Sequence, residues 1–424
     1  FHFQQATFAG AGLDGGIGNS AHEVVLELLR VPCQHRHLNE RHVPTPIVDQ
    51  YEVVVIVAAG TAWVKVQLLD FGYGVAVQVL ATSVIRHTPA DACSGRLLLL
   101  DVSDDAITVS SVRQLPESPY RGVDPNARGG TRGLHGVAVA GDEVLVTDYN
   151  GITVLDRSLE TISRIENRLF AGLHEIACVG DQWWVVSTLA DAVLRVDRSG
   201  DVTGMWRPAE SQVLATMLGL PDTTPLDEVD SDPRTMAGRL HNLSHLNSLA
   251  SHGTDLFVSL GLVVIDRSCH ESGALPGPDR ADSWRAPIGD WGAAHVIVKL
   301  PAGPGRANAV EPEVLWSGPA SVVPNHDVVL RGASLWFSDT PAGMVRRVAG
   351  GQVRDSVDLN TPFARGLVDL GDGRLLAGAN HPQRLFVLDA EGATVIATHV
   401  LPTLPDESIT SMCVVTDPGA GNST

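Results

Sequence analysis

Basic charge is scarce in this chain, and so are cysteines spaced to pair. Lys and Arg number 30 against 49 Asp and Glu, which leaves a net charge of −19. A nucleic-acid backbone or an anionic membrane needs a basic face, so neither is an expected partner. The acidity reads as a solubilising surface. The five cysteines, Cys33, Cys93, Cys178, Cys269 and Cys413, are odd in number, and none stands at Cys-x-x-Cys spacing. That argues against a disulfide framework or a thiolate zinc site and fits a reducing, cytoplasmic setting. No basic segment followed by an apolar one opens the chain, so no secretory leader is expected. The apolar run over 53–59 is far too short to span a bilayer. No G-x-S-x-G, H-E-x-x-H, P-loop or EF-hand pattern occurs. The Gly-rich run near Gly10 follows no strand pattern and makes no dinucleotide fingerprint.

What is present suits a large fold of short strands. Hydrophobic residues make up 44%, enough for a core, and 42 Gly with 25 Pro supply many turns. Residues 1–90 read as an irregular segment of unknown role with some valine-rich strands over 51–86. Beyond it a unit repeats: His or Arg, an apolar strand, a Gly/Asp turn, a strand ending in Ser, Thr or Asp, and a further strand ending in Asp. Copies open at Gly133, Gly172, Ser244, Asn325 and Phe363. Two neighbouring pairs, His135 with His174 and His326 with Arg365, are each 39 residues apart (174 − 135; 365 − 326). Several strands in a period near 40 indicate an all-β fold of stacked blades, a β-propeller, over 91–424. The final segment near Met412 reads as an inner strand lacking its blade, and the segment near Leu98 as outer strands lacking an inner one. Pairing them closes a ring of six blades; seven follow if 51–86 makes its own blade. Insertions are expected at about 205–240 and 267–312.

The stretches HLNSLA from His245, SWRAPIGDW from Ser283, PNHDVV from Pro324 and FARGLVDL from Phe363 come in an order that resembles an uncharacterised bacterial propeller family. Its members sometimes sit beside tetratricopeptide repeats. The resemblance covers roughly 130–400 and implies the fold; it implies no activity. The chain departs from the family pattern at Pro324 and His326, where Asn325 is inserted.

One histidine set carries most of the functional reading. His135, His174, His245 and His326 open successive repeats, and equal register places equal positions around one axis. Imidazoles converging from separate blades suit Fe, Zn, Mn or Cu. Alternatively each caps its own strand and recurs by common ancestry. Arg365 in the same series suits a substrate carboxylate or phosphate, and Trp284 with Arg285 in the second insertion suits an anion at the mouth. Asp148, Ser187, Ser259 and Asp339 end second strands, as partners of the imidazoles or as turn residues. His35, His37, His42 and His241 are lesser candidates. Two functions follow: a metal-centred lyase, hydrolase or oxygenase acting on a small anionic molecule, or a non-catalytic binding or protein-interaction module. Oligomeric state is not legible.

Overall fold

The computed structural model describes residues 52–56, 65–69, 76–85, 88, 93–103, 106–115, 133–218, 232, 234, 244–261, 294–302, 311–319, 324–361, 363–380, 383–404 and 406–415. The chain divides into two compact units, Phe1–Gly74 and Val75–Thr424. In the first, β1 (Glu52–Ile56) and β2 (Lys65–Leu69) pair as an antiparallel hairpin.

The second unit is a six-bladed β-propeller of four-stranded antiparallel sheets. Strands β3 (Val77–Ile85), β4 (Leu97–Val102) and β5 (Ile107–Arg113) belong to the blade that closes the ring. Blade 1 holds β6 (Leu134–Ala140), β7 (Glu143–Asp148), β8 (Gly151–Asp156) and β9 (Thr161–Glu166). Blade 2 holds β10 (Leu173–Val179), β11 (Gln182–Ser187), β12 (Ala192–Val196) and β13 (Val202–Trp206). Blade 3 holds β14 (Ser248–His252), β15 (Asp255–Gly261), β16 (Ala294–Pro301) and β17 (Glu313–Pro319). Blade 4 holds β18 (His326–Arg331), β19 (Ser334–Asp339), β20 (Met344–Ala349) and β21 (Gln352–Asp358). Blade 5 holds β22 (Ala364–Asp369), β23 (Arg374–Ala379), β24 (Arg384–Asp389) and β25 (Thr394–Val400). Blade 6 places β26 (Glu407–Val414) first, then β3, β4 and β5.

Local sequence accounts for the strands. Tight turns between first and second strands carry Gly141, Gly180, Gly253 and Gly332 at φ of 61°, 57°, 58° and 58°, a conformation that side-chain-bearing residues rarely adopt. Strand alternation then sends neighbours to opposite blade faces. Trp183 packs with blade 1, beside Leu145 and Ile152, whereas Trp184 packs with blade 3, beside Val258 and Val296. Every joint between adjacent blades holds such an apolar cluster. Each fully buried Leu or Val in these joints contributes about 1.5–3 kcal/mol.

Two sequence boundaries shift. β3 pairs with β26 on one side and β4 on the other. The valine-rich stretch over 77–85, grouped by sequence with the N-terminal segment, is therefore the second strand of the closing blade. Six blades result, with no separate seventh among the described residues. The insertion expected over 267–312 contains β16, the third strand of blade 3, so it is interrupted by the sheet. Within 205–240 a single-turn 3-10 helix (Pro208–Glu210) and α1 (Gln212–Leu218) are formed. Among the described residues no helix is long and apolar enough to cross a membrane.

Candidate functional site

The first strands touch in the order β6, β10, β14, β18, β22, β26 and back to β6, and this closed circle defines the axis. Each begins at the same end. In five blades its opening turn is irregular: pairing skips between Leu134 and Val137, Leu173 and Ile176, His326 and Val328, Ala364 and Leu367, and Ile409 and Ser411. A bulge re-aims side chains that a regular strand would send to the blade faces. Here it turns consecutive residues toward the axis.

Register identifies the members. Val137 faces Val146, and Leu249 faces Val258, at equivalent places. Counting back two, the ring position holds His135, His174, Asn247, His326, Arg365 and Thr410. His245 is not of this register. It stands two residues earlier, at φ 45°, where blades 1, 2 and 5 have Gly133, Gly172 and Phe363 at φ 50°, 65° and 68°. Asn247 takes the expected place, because its blade carries the histidine in the left-handed residue before the strand. The adjoining register holds Gly136, Glu175, Ser248, Asp327, Gly366 and Ser411, a charged layer that the repeat pattern did not flag.

A hydrogen-bond belt positions these residues. Thr410 Oγ1 donates to the Leu134 carbonyl (2.7 Å), Thr188 to Leu246 (2.6 Å), Asn247 Nδ2 to Asn325 (3.2 Å) and Thr340 to Ala364 (2.8 Å). Each bond reaches from one blade to the opening residue of another. Thr340 Oγ1 also lies 2.7 Å from His326 Nδ1. Its proton goes to Ala364, so it accepts from Nδ1–H, and in the neutral ring Nε2 is then the nitrogen with the lone pair.

The rings gather at the axis. His174 lies 5.0 Å from His135, 6.0 Å from His245 and 6.5 Å from His326, between ring centroids. His174 Nδ1 is buried without a hydrogen-bond partner. Burial, then the neighbouring His135 and Arg365, hold its pKa well below the usual histidine range. Among the described residues no group of three or more His, Cys, Asp or Glu is arranged to hold a metal ion.

Arg365 is 8% exposed. Its side chain makes no hydrogen bond or ion pair with another described residue, and its Nε is buried unbonded. Burial lowers its pKa, while Asp327 and Glu175 favour its charge. Burial raises Glu175 well above the carboxylate range, reinforced by Asp327, against the bond from Ser411 Oγ to its Oε2 (2.9 Å). Burial lifts Asp327 to about 6, opposed by the Arg365 charge and by the bond from the Gly366 N–H, which reaches Oδ2 at 2.8 Å.

The remaining candidates are elsewhere. Asp148 accepts from the Asn150 N–H (2.8 Å) and pairs with Arg164. Asp339 pairs with Arg346 at 2.5 Å. Ser187 donates to the Leu169 carbonyl at 2.6 Å. These hold turns and outer strands rather than imidazoles. Trp284, Arg285, His35, His37, His42 and His241 lie outside the described residues.

No protein-family model matches the chain, and no curated protein does. Solved structures do. A structure of a nidogen/laminin complex is 8% identical at TM-score 0.50, covering 80% of this chain and 98% of that one. A protein of unknown function from Bacteroides caccae is 12% identical at 0.45, covering 81% and 100%. Virginiamycin B lyase from Staphylococcus aureus is 12% identical at 0.38, covering 64% and 86%. The last two likenesses are too loose to bear on function, and the first concerns architecture alone: this chain carries a six-bladed β-propeller, closed by its own late strand.

Proposed function

We propose that the axial ring binds a small anionic molecule, with Arg365 as its anchor and the histidines as the reactive wall. The observation that carries this is the Arg365 guanidinium, buried yet joined by no hydrogen bond or ion pair to a described residue. A buried, unpaired cation costs several kcal/mol, and an anionic ligand offsets that by supplying the missing acceptors. The metal-centred enzyme is the finer form of this reading. Its support is the fixed tautomer of His326, with Nε2 as the donor nitrogen, beside the clustered rings of His135, His174 and His245. In that form His135, His174, His245 and His326 would hold a divalent Fe, Zn, Mn or Cu, which would supply Lewis-acid chemistry toward the substrate or a bound water. Trp284 and Arg285 stay in the proposal as further ligand contacts. β15 ends at Gly261, paired with His295 of β16, at the blade end where the first strands open. Membership of the bacterial propeller family that the sequence resembles belongs here too.

Elemental analysis of untagged protein, with His174→Ala and His326→Ala alongside, separates the forms. A stoichiometric metal lost in both folded variants supports the metal-centred enzyme. Anion binding that depends on Arg365, without metal after anaerobic reconstitution, supports the non-catalytic binding module. If no small anion stabilises the protein and Arg365→Gln changes nothing, the axial reading is wrong.

A further inference from the structure

We propose that the axial site selects an anion of single charge, a monocarboxylate, over dianions such as sulfate and phosphate. This rests on the anion-binding reading above and names its ligand class. Arg365 contributes one positive charge at the ring register. Glu175 and Asp327 stand on the adjoining register, 9% and 7% exposed. Each is held by a partner other than the guanidinium: Glu175 Oε2 by the Ser411 hydroxyl at 2.9 Å, and Asp327 Oδ2 by the Gly366 N–H at 2.8 Å. Neither therefore closes onto Arg365 as an ion pair, so its donor fork stays open while the field of both acids reaches it.

Charge counting then limits the ligand. Depending on how many protons the two acids carry, the three side chains sum to between +1 and −1. A monoanion brings the total to between 0 and −2, and a dianion to between −1 and −3. Whatever protons the two acids carry, and with the imidazoles uncharged, the dianion leaves one more uncompensated charge in a buried place, where screening is weak. The crowded imidazoles, 5.0–6.5 Å apart, discourage one another from adding positive charge. Shape agrees, because a planar guanidinium fork matches a planar carboxylate through two parallel hydrogen bonds.

The route to this arrangement is visible in the backbone. Gly136 occupies the blade between Glu175 and Ser411, and a Cβ there would stand 2.7 Å from the Glu175 Cα. The missing side chain lets Glu175 approach and reach across to blade 6. Gly366 likewise offers its bare N–H to Asp327. Two glycines thus seat two acids around one arginine.

The test is isothermal titration calorimetry in metal-free buffer at matched ionic strength, with acetate and benzoate against sulfate and phosphate. The wild-type protein is expected to bind one of the carboxylates at least about tenfold more tightly than either dianion. Glu175→Gln with Asp327→Asn is expected to keep carboxylate ahead of the dianions, because one guanidinium still balances one charge. Each single substitution, folded by circular dichroism, is expected to keep the same order, which keeps the test open if the double variant misfolds. Arg365→Gln is expected to abolish binding of both classes. Sulfate binding as tightly as carboxylate through Arg365 overturns the selectivity and leaves the anion site standing. A folded Glu175 or Asp327 variant that binds sulfate ahead of carboxylate through Arg365 overturns it as well. If no probe binds wild type, both the selectivity and the anion site fall.

Discussion

His174 and His295 are both histidines whose basicity burial lowers, yet one stands in the axial ring and the other inside a blade. His295 lies in β16, paired with Gly261 on one side and Gly318 on the other. Gly261 leaves the space its ring fills, because a Cβ there would collide with it, whereas a Cβ at Gly318 would meet the Trp316 ring. Burial carries its pKa down to about 4, with Asp339 opposing weakly. His174 has three other imidazole rings and a buried guanidinium for neighbours. Depressed basicity is therefore no mark of function in this molecule. Convergence of polar groups from separate blades is what sets the axial ring apart.

Four substitutions test that distinction. Gly136→Ala strikes the ring hardest, because the added carbon meets backbone of the next blade, Glu175 Cα and Ile176 N, both at 2.7 Å. A loss of about 3 kcal/mol is expected in denaturant unfolding. His295 comes next. Its folded pKa, about 4, lies below the unfolded value near 6.5. The unfolded chain therefore binds more protons between those values, and stability is lost as pH falls through that window. Between pH 7 and pH 5 the loss assignable to His295 is about 2 kcal/mol. His295→Leu should flatten the unfolding midpoint against pH by that amount; an unchanged profile would show that His295 is not kept neutral.

Gly172→Ala asks whether the left-handed position before the ring needs glycine. Its φ is 65°, and the new carbon meets Leu189 Cγ at 3.1 Å. His245 and Phe363 fill the same position with large side chains, so the backbone tolerates one, and a loss of about 1 kcal/mol is expected. Arg365→Met has the smallest expected effect on folding, within about 1 kcal/mol, because removing a buried charge offsets the lost field on Asp327 and Glu175. Its thermal midpoint should no longer respond to small anions. A large fall in stability would instead make Arg365 a structural cation.

The sequence displayed the blades through their 39-residue spacing and their strand–turn–strand grammar, since each joint asks the same things of its apolar residues. It showed His135, His174, His326 and Arg365 for the same reason. Glu175 and Asp327 stayed hidden because alternation assigns the residue after a ring histidine to the opposite face, and only the bulge brings both to the axis. His245 misled because an imidazole two residues out of register still ends 6.0 Å from His174. β3 reads as a strand from its valines, but its place in the closing blade does not, because its partner β26 is distant in sequence. No local pattern states that residues 77–85 pair with 407–414.

That pairing has a consequence for how the protein is made. Ser83 and Glu407, hydrogen-bonded across the closing blade at 2.6 Å, are 324 positions apart. At ~5–20 residues per second, a ribosome needs roughly 16–65 s to travel between them. For that interval β3 has emerged with its edge bare, and Thr410 and Ser411 do not yet exist to tie Leu134 and Glu175 in place. The axial ring is therefore assembled late in translation, and the nascent chain must be kept from pairing that open edge with another molecule.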